Sequence, residues 1–256
     1  MKYKIRDEYA GLKDFILRLP SVFEGMGGVI RDYRNVIKIV EVEGYKLVIK
    51  NFRGMYFFNR LAYSLFRKSK AVRSYEYSER LNQHGIATPS HVAWINLYSM
   101  GMLQESYFVS VFTPLPTLEQ CMDNFDATNQ TQTRILEALA AFSKRLHELG
   151  IFHYDFSVGN ILVKSVGDGY EFSLLDLNRM RFGPVIKGYK NFATLNLPTD
   201  AINILLRSYG RLNDEDPDHL VDRFWKYKNR KASLRRARKK LRKHTVTRLE
   251  NILGKN

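Results

Sequence analysis

The run IFHYDFSVGNILV, residues 151–163, sets His153, Asp155 and Asn160 between two apolar segments, and Asp176 follows at the end of EFSLLDL. Polar side chains bounded by buried segments need partners or a task, because burying them unsatisfied is costly. Two acids and an amide gathered at one place suit phosphoryl transfer. One carboxylate orients an attacking hydroxyl and takes its proton, while hard oxygen ligands hold a magnesium ion against the phosphates. Asp and Asn are also ordinary turn residues, and Asp176 could simply cap the segment after its strand. The elements around these residues therefore matter.

Upstream, TQTRILEALAAFSKRLHELG places Ile135, Leu139, Phe142, Leu146 and Leu149 at spacings of three and four before Gly150, the pattern of an amphipathic helix with its stop. Downstream, NILVK and EFSLLDL read as a hairpin with Gly167 and Gly169 in its turn. TDAINILLRSYG and the basic tail read as further helices. The first half has another character. DEYAGLKDFILRL puts Leu12, Phe15, Ile16 and Leu19 on one helical face, with Pro20 as the expected stop. NVIKIVEVEGYKLVIKNF predicts two strands turning at Gly44, SKAVRSYEYSERLNQH a helix from near Ser69 to a C-cap at Gly85, and SHVAWINLY and SYFVSVF two more strands. The expectation is an α+β chain, sheet-rich then helix-rich, divided near the stiff TPLP segment at residues 113–116.

At 256 residues and 45% hydrophobic the chain can bury a large core, as one domain or as two lobes sharing a cleft. It contains no run of eighteen apolar residues, and MKYKIRDEYAG lacks the apolar centre of a signal peptide, which predicts a soluble cytosolic protein. The single Cys121 excludes an internal disulfide framework and a multi-thiolate metal site, and reads as a small buried apolar residue. The net charge of +15 is local: residues 223–243 hold twelve Lys and Arg and no acid. Leu234, Ala237 and Leu241, then Leu249 and Ile252, predict a helix packed by a narrow apolar stripe with cationic outer faces. Those faces are either solvated or a dock for acidic lipid headgroups, a phosphorylated glycolipid or nucleic acid. Nucleic acid fits least, since the run has few aromatics and no reader motif accompanies it.

The pattern His-x-Asp-x-x-x-x-Asn, with Asp-Leu-Asn about twenty residues further on, resembles the catalytic loop and metal-binding turn of the protein-kinase-like fold. More narrowly, FRG…RKSKAVRSYEYSERLNQHGIATP, HYDFSVGNILV and LLDLNRMRFG are similar to the bacterial lipopolysaccharide kinase family, the Kdo and heptose kinases, from roughly Phe23 to Gly183. The resemblance implies a two-lobed fold: a nucleotide-clamping N-lobe over residues 1–113, with a small antiparallel sheet and one main helix, and a mainly helical C-lobe over 114–256. It implies that Asp155 is the catalytic base and that Asn160 and Asp176 are the magnesium ligands. His153 would brace the loop. Lys50, in LVIK, matches the lysine that holds the α- and β-phosphates, and its acidic partner would be Glu76 or Glu79, with Glu76 favoured by its YEY setting. Lys50 could instead face solvent, and Glu76 could form a surface ion pair. Asp200, in LPTDAINILL, sits where this fold often returns an acid to support the loop, but as a helix N-terminal residue it needs no such duty.

The chain departs from the wider pattern in three places. No Gly-x-Gly-x-x-Gly covers the phosphates: EGMGGVI lies early and RDYRN stands in the expected position, which leaves Lys50, with Arg34 as helper, to hold the nucleotide. Asn178 replaces the glycine of the metal-binding turn, tolerates positive φ, and is a candidate for a second metal. Between Asp176 and the next helix the short basic segment LNRMRFGPVIKGYKNFATLNLPT is unlike a peptide-binding platform. A small or glycolipid hydroxyl acceptor fits better, and Arg179, Arg181, Lys187 and Lys190 would suit an acidic sugar unless they are solvated loop charge. The resemblance thus implies an enzyme using ATP and Mg²⁺ to phosphorylate a sugar hydroxyl, Kdo in particular, of the lipopolysaccharide inner core or Kdo-lipid A. It would act at the cytoplasmic face of a Gram-negative inner membrane, docked on anionic lipid through residues 223–243. The alternatives are a kinase for a soluble small molecule or a protein, a non-catalytic descendant of a kinase, and a nucleic-acid-binding protein using the tail.

Overall fold

The computed structural model describes residues 1–32, 35–53 and 67–253; Arg34, and the Gly54 of FRG, lie outside them. The first half builds an antiparallel sheet of six strands in the order β1-β5-β6-β4-β3-β2. These are β1 (Lys2–Ile5), β2 (Gly28–Asp32), β3 (Val36–Val42), β4 (Tyr45–Asn51), β5 (His91–Ser99) and β6 (Met102–Val111). The β3–β4 hairpin turns at Glu43 and Gly44, both with positive φ, as a two-residue turn matched to strand twist requires. Strands β1 and β2 are not announced by the sequence. KYKI is short and charged, GVIRD opens on glycine, and the pairing comes from β5 and β3.

The two faces of the sheet carry different cargo. Leu47, Ile49, Ile95, Tyr107 and Val109 form one face and pack with Leu12, Ile16, Leu19 and Phe23 of the leading helical segment. That segment is a 3₁₀ stretch, Asp7–Leu12, followed by helix α1, Lys13–Val22. Pro20 lies inside α1 rather than ending it. Sitting in the last turn, it removes only the bond its N–H would have made to the Ile16 carbonyl, so the helix closes two residues later. On the opposite face stand Lys50 and its cross-strand partner Phe108, with Asn96 and its partner Ser106. Helix α2 (Lys70–Gln83) is fastened to this face by its own N-cap. Ser69 accepts from the Val72 amide, and the Ser69 and Ser106 hydroxyls reach Asn96 Oδ1 at 2.9 and 2.8 Å, all three residues being buried.

The second half contains α3 (Leu118–Cys121), α4 (Gln130–Glu148), α5 (Thr199–Leu212), α6 (Pro217–Leu253) and two antiparallel ribbons. One ribbon pairs β7 (Ile151–His153) with β10 (Met180–Phe182), the other β8 (Ile161–Val166) with β9 (Gly169–Leu174). Helix α4 starts at Asn129, whose Oδ1 accepts from Thr131 and Gln132, and buries Ile135, Leu136, Leu139, Ala140 and Leu146. Leu149, expected on that face, lies past the helix end and is exposed. Cys121 is half-buried, and burial raises its thiol pKa. The halves are stitched where Leu174 donates to the Ala87 carbonyl at 3.0 Å and accepts from Thr88 Oγ1 at 2.8 Å, and the segment entering the second half is held at Val163 N to Pro116 O, 2.9 Å. Among the described residues no helix is long and apolar enough to cross a membrane.

Helix α6 corrects the expected apolar stripe. Leu220 and Phe224 are buried, and Trp225 Nε1 donates to Asn203 Oδ1 at 2.8 Å, but Leu234 is 52% exposed and Ala237 is exposed too. Among the described side chains of the helix, the ones buried against the body lie in its first third. The side chains of Leu241, Leu249 and Ile252 lie outside those described.

Two stability predictions follow from this packing. Asn96→Ala leaves two buried hydroxyls without their acceptor and loosens the α2 cap, so urea denaturation should show a loss of about 1–3 kcal/mol. His91 and His147 are held down to about 4 by burial, His147 while bonded to the Tyr209 hydroxyl at 2.9 Å. Both stay neutral in the fold and protonate on unfolding near 6.5. Stability is therefore full above pH 6.5 and falls as pH drops toward 4, by about 2 kcal/mol for each group at pH 5. The slope should be shallower in His147→Asn; an unchanged slope would contradict the assignment.

Candidate active site

Strand β7 ends at His153, and the chain turns sharply through Asp155 into a 3₁₀ turn, Val158–Asn160. The His153 ring fixes both sides of this turn. Its Nδ1 accepts from the Asp155 amide at 3.0 Å, and its Nε2 lies 2.9 Å from the Leu175 carbonyl. Only a neutral imidazole with its proton on Nε2 satisfies both contacts. Burial favours that form by pushing the ring's pKa down. Asn160 completes the lock: its Nδ2 donates to the Asp155 carbonyl at 3.0 Å, and its own carbonyl accepts from Leu175 N at 2.9 Å.

Leu175 delivers Asp176, which takes the left-handed conformation at φ 53°, ψ 50°. The tolerance of Asn178 for positive φ is not called on, because it lies in the following 3₁₀ turn, Leu177–Arg179. Asn178 is tied to the Asp176 carboxylate, its Nδ2 donating to Oδ1 at 2.5 Å. The same oxygen receives Lys50 Nζ at 2.5 Å. Burial pushes the Asp176 carboxyl up, but the Lys50 ammonium, aided by Arg179, outweighs it and holds the pKa below the usual carboxylate value. Arg179 also faces Asp155, at 3.7 Å from Oδ2.

Lys50 thus meets Asp176 rather than an acid of α2. Glu76 is paired with Lys68 at 2.6 Å and Glu79 with Lys4 at 2.7 Å, both largely exposed contacts. Sequence reasoning missed two residues. Lys70, the first residue of α2, lies 5.5 Å from the Phe52 ring, whose other neighbour is Lys50 at 5.2 Å. Burial and the nearby Lys50 and Arg179 charges push its pKa down. Its signal was its place next to a good N-cap serine, but only the Ser69–Asn96–Ser106 anchor aims that end of α2 at the site. Thr194 is the other: its Oγ1 donates to the Phe156 carbonyl at 2.8 Å and braces the loop, while Asp200 is exposed.

The donor set suits a magnesium ion shared with phosphates. With Nδ2 used by Asp155, Asn160 offers Oδ1, and Asp176 offers a carboxylate kept ionised. Among the described residues no cluster of three or more His, Cys, Asp or Glu could hold a metal alone. Two hard oxygen ligands, with phosphate and water completing the shell, match how magnesium is usually bound.

Comparison with known proteins bears on the fold and on the family. A solved structure described as WaaP in complex with acyl carrier protein matches with a TM-score of 0.62 and 21% identity, covering 91% of this chain and 98% of that one. A MAP kinase from Leishmania major matches at TM-score 0.44 and 15% identity, over 79% and 61% of the two chains. No curated protein sequence matches significantly. The family model described as "Lipopolysaccharide kinase (Kdo/WaaP) family" matches residues 29–191, a span that includes Lys50, Asp155, Asn160 and Asp176. This chain therefore belongs to the lipopolysaccharide kinases, enzymes of protein-kinase-like fold that phosphorylate sugar hydroxyl groups.

Proposed function

We propose that this enzyme transfers the γ-phosphoryl of ATP to a hydroxyl of Kdo in the lipopolysaccharide inner core, at the cytoplasmic face of the inner membrane. The observation that carries the reading is the joining of Lys50, Asp176, Asn160 and Asp155 into one bonded set, through His153, in a member of this family. Residues 1–113 would act as the N-lobe that clamps nucleotide, and residues 114–256 as the C-lobe that carries loop and metal ligands. Bound Mg-ATP supplies the electrophilic phosphorus and a cation that spreads its charge.

The chain's own groups account for the rest. Asp155 orients the acceptor hydroxyl and accepts its proton on a carboxylate oxygen, on a loop whose backbone cannot drift while His153 holds it. Asn160 Oδ1 and Asp176 would hold magnesium. Lys50 holds phosphate oxygens after leaving Asp176, and Glu76, on the helix facing that strand, is the acid that would then receive it. Lys70 supplies a second cation, and Arg179 lies near the position of the attacking oxygen. Three like charges around one carboxylate are favourable only toward a polyanion. The basic length of α6, residues 223–243, would rest on anionic lipid, bringing the site to a membrane-anchored acceptor.

Purified protein incubated with Mg-ATP and Kdo-lipid A should yield a product heavier by one phosphate. Asp155→Ala should slow transfer about 10²–10⁴-fold, and Asp176→Ala should abolish it. Transfer persisting in both variants would refute the mechanism, and equal rates on soluble acceptors would favour a small-molecule kinase. Lys70→Met should weaken Mg-ATP binding about tenfold by calorimetry, with thermal stability retained; undiminished affinity would remove Lys70 from the site.

A further inference from the structure

Beside the catalytic loop is a cavity of about 500 Å³ that the nucleotide reading does not use. Phe152 of β7 and Tyr154, the residue before Asp155, open onto it. Its charge is one-sided: Arg181, Lys187 and Lys190 come from the segment after the Asp176 turn, Lys231 comes from α6, and among the described residues no carboxylate lines it. Tyr227, also on α6, forms an aromatic wall, with Lys190 Nζ 4.9 Å and Lys231 Nζ 5.8 Å from its ring centre. Asn191, 2% exposed, lines the cavity too, and neither its Oδ1 nor its Nδ2 has a hydrogen-bond partner among the described residues. A buried amide left so is an exception that a ligand would explain.

The cavity is also built to keep its shape. A Cβ on Gly188 would come within 2.3 Å of His147 Nδ1 and 2.4 Å of the Tyr209 hydroxyl, so the segment carrying Lys187 and Lys190 lies directly on that buried pair. Thr194 Oγ1 is within hydrogen-bond distance of both the Asn191 carbonyl, 2.9 Å, and the Phe156 carbonyl, 2.8 Å, which joins the cavity to the catalytic loop. Its volume lies in the range of small-ligand sites.

We infer that this cavity is the acceptor subsite, and that it takes the carboxylate-bearing ring of an acidic sugar. Lysine and arginine meet the carboxylate, Tyr227 meets the ring's apolar face, and the Asn191 amide meets its hydroxyls. The inference rests on the kinase reading and divides the basic helix: Tyr227 and Lys231 serve substrate recognition, and the other cations of residues 223–243 are the ones left for a lipid surface. A lipid phosphate shares the anionic chemistry, but a concave site with an aromatic wall and a buried amide fits a sugar better than a headgroup lying on a bilayer.

The test titrates free Kdo, its neutral methyl ester and Mg-ATP separately into the full-length protein. Kdo should bind, the ester about tenfold more weakly, and Lys231→Met and Asn191→Leu should each weaken Kdo binding about tenfold. Both variants should keep the wild-type affinity for Mg-ATP, which also reports that they are folded. Equal affinity for acid and ester, or variants that bind Kdo like the wild type, would overturn the assignment. Displacement of Kdo by phosphatidylglycerol vesicles would overturn it in favour of a headgroup site, and failure of the vesicles to compete supports the sugar. Kdo binding that persists in a protein unable to bind Mg-ATP would leave the subsite standing and bring down the kinase reading instead.

Discussion

A lysine and a carboxylate 126 positions apart in sequence meet at 2.5 Å, and most of the architecture exists to let them meet. Both are substantially buried, so each needs the other: removing either leaves a charge stranded away from water. Lys50 reaches the contact because alternation along β4 puts Leu47 and Ile49 into the core under α1 and leaves position 50 on the opposite face. Asp176 reaches it because the chain turns left-handed immediately after β9. Asn178 shares the same carboxylate oxygen, and Lys70 and Arg179 add positive potential around it. The local field is strongly positive for a site with so few acids, the arrangement a triphosphate requires.

His153 gives that contact its precision on the other side. A neutral ring in a single tautomer bonds the amide of Asp155 and the carbonyl preceding Asp176 together. Asp155 and Asp176 are therefore held by one rigid plane rather than by two independent loops, and Thr194 and Asn160 remove the remaining freedom. Preorganisation of this kind is where positioning catalysis gets its rate.

Much of this could be read from the chain. The α4 periodicity, the Ser69 cap of α2, the hairpin at Gly44 and the His153–Asp155–Asn160 turn are all set by local sequence, and the structure places each as its residues suggest. What escaped depends on distant partners. β1 forms because β5 offers it an edge, and Lys70 turns toward the site because Asn96 and Ser106 hold its helix cap. Asp176, not Asn178, takes positive φ because of where a strand stops, which residue preference cannot say. Leu234 looked like packing and is solvent-exposed, since helical spacing gives the direction of a stripe but not whether anything lies opposite it.

The seam at Ala87, Thr88 and Leu174 bears on how the two halves can move. Its bonds lie within two residues of Asp176, so any rocking of the sheet against the helices pivots close to that carboxylate. Displacement grows with distance from a pivot. The far strands β2 and β3 would swing widely while Asp176 stays almost still, and the cleft could gape for exchange of its contents without its deepest anchor being rebuilt on each cycle.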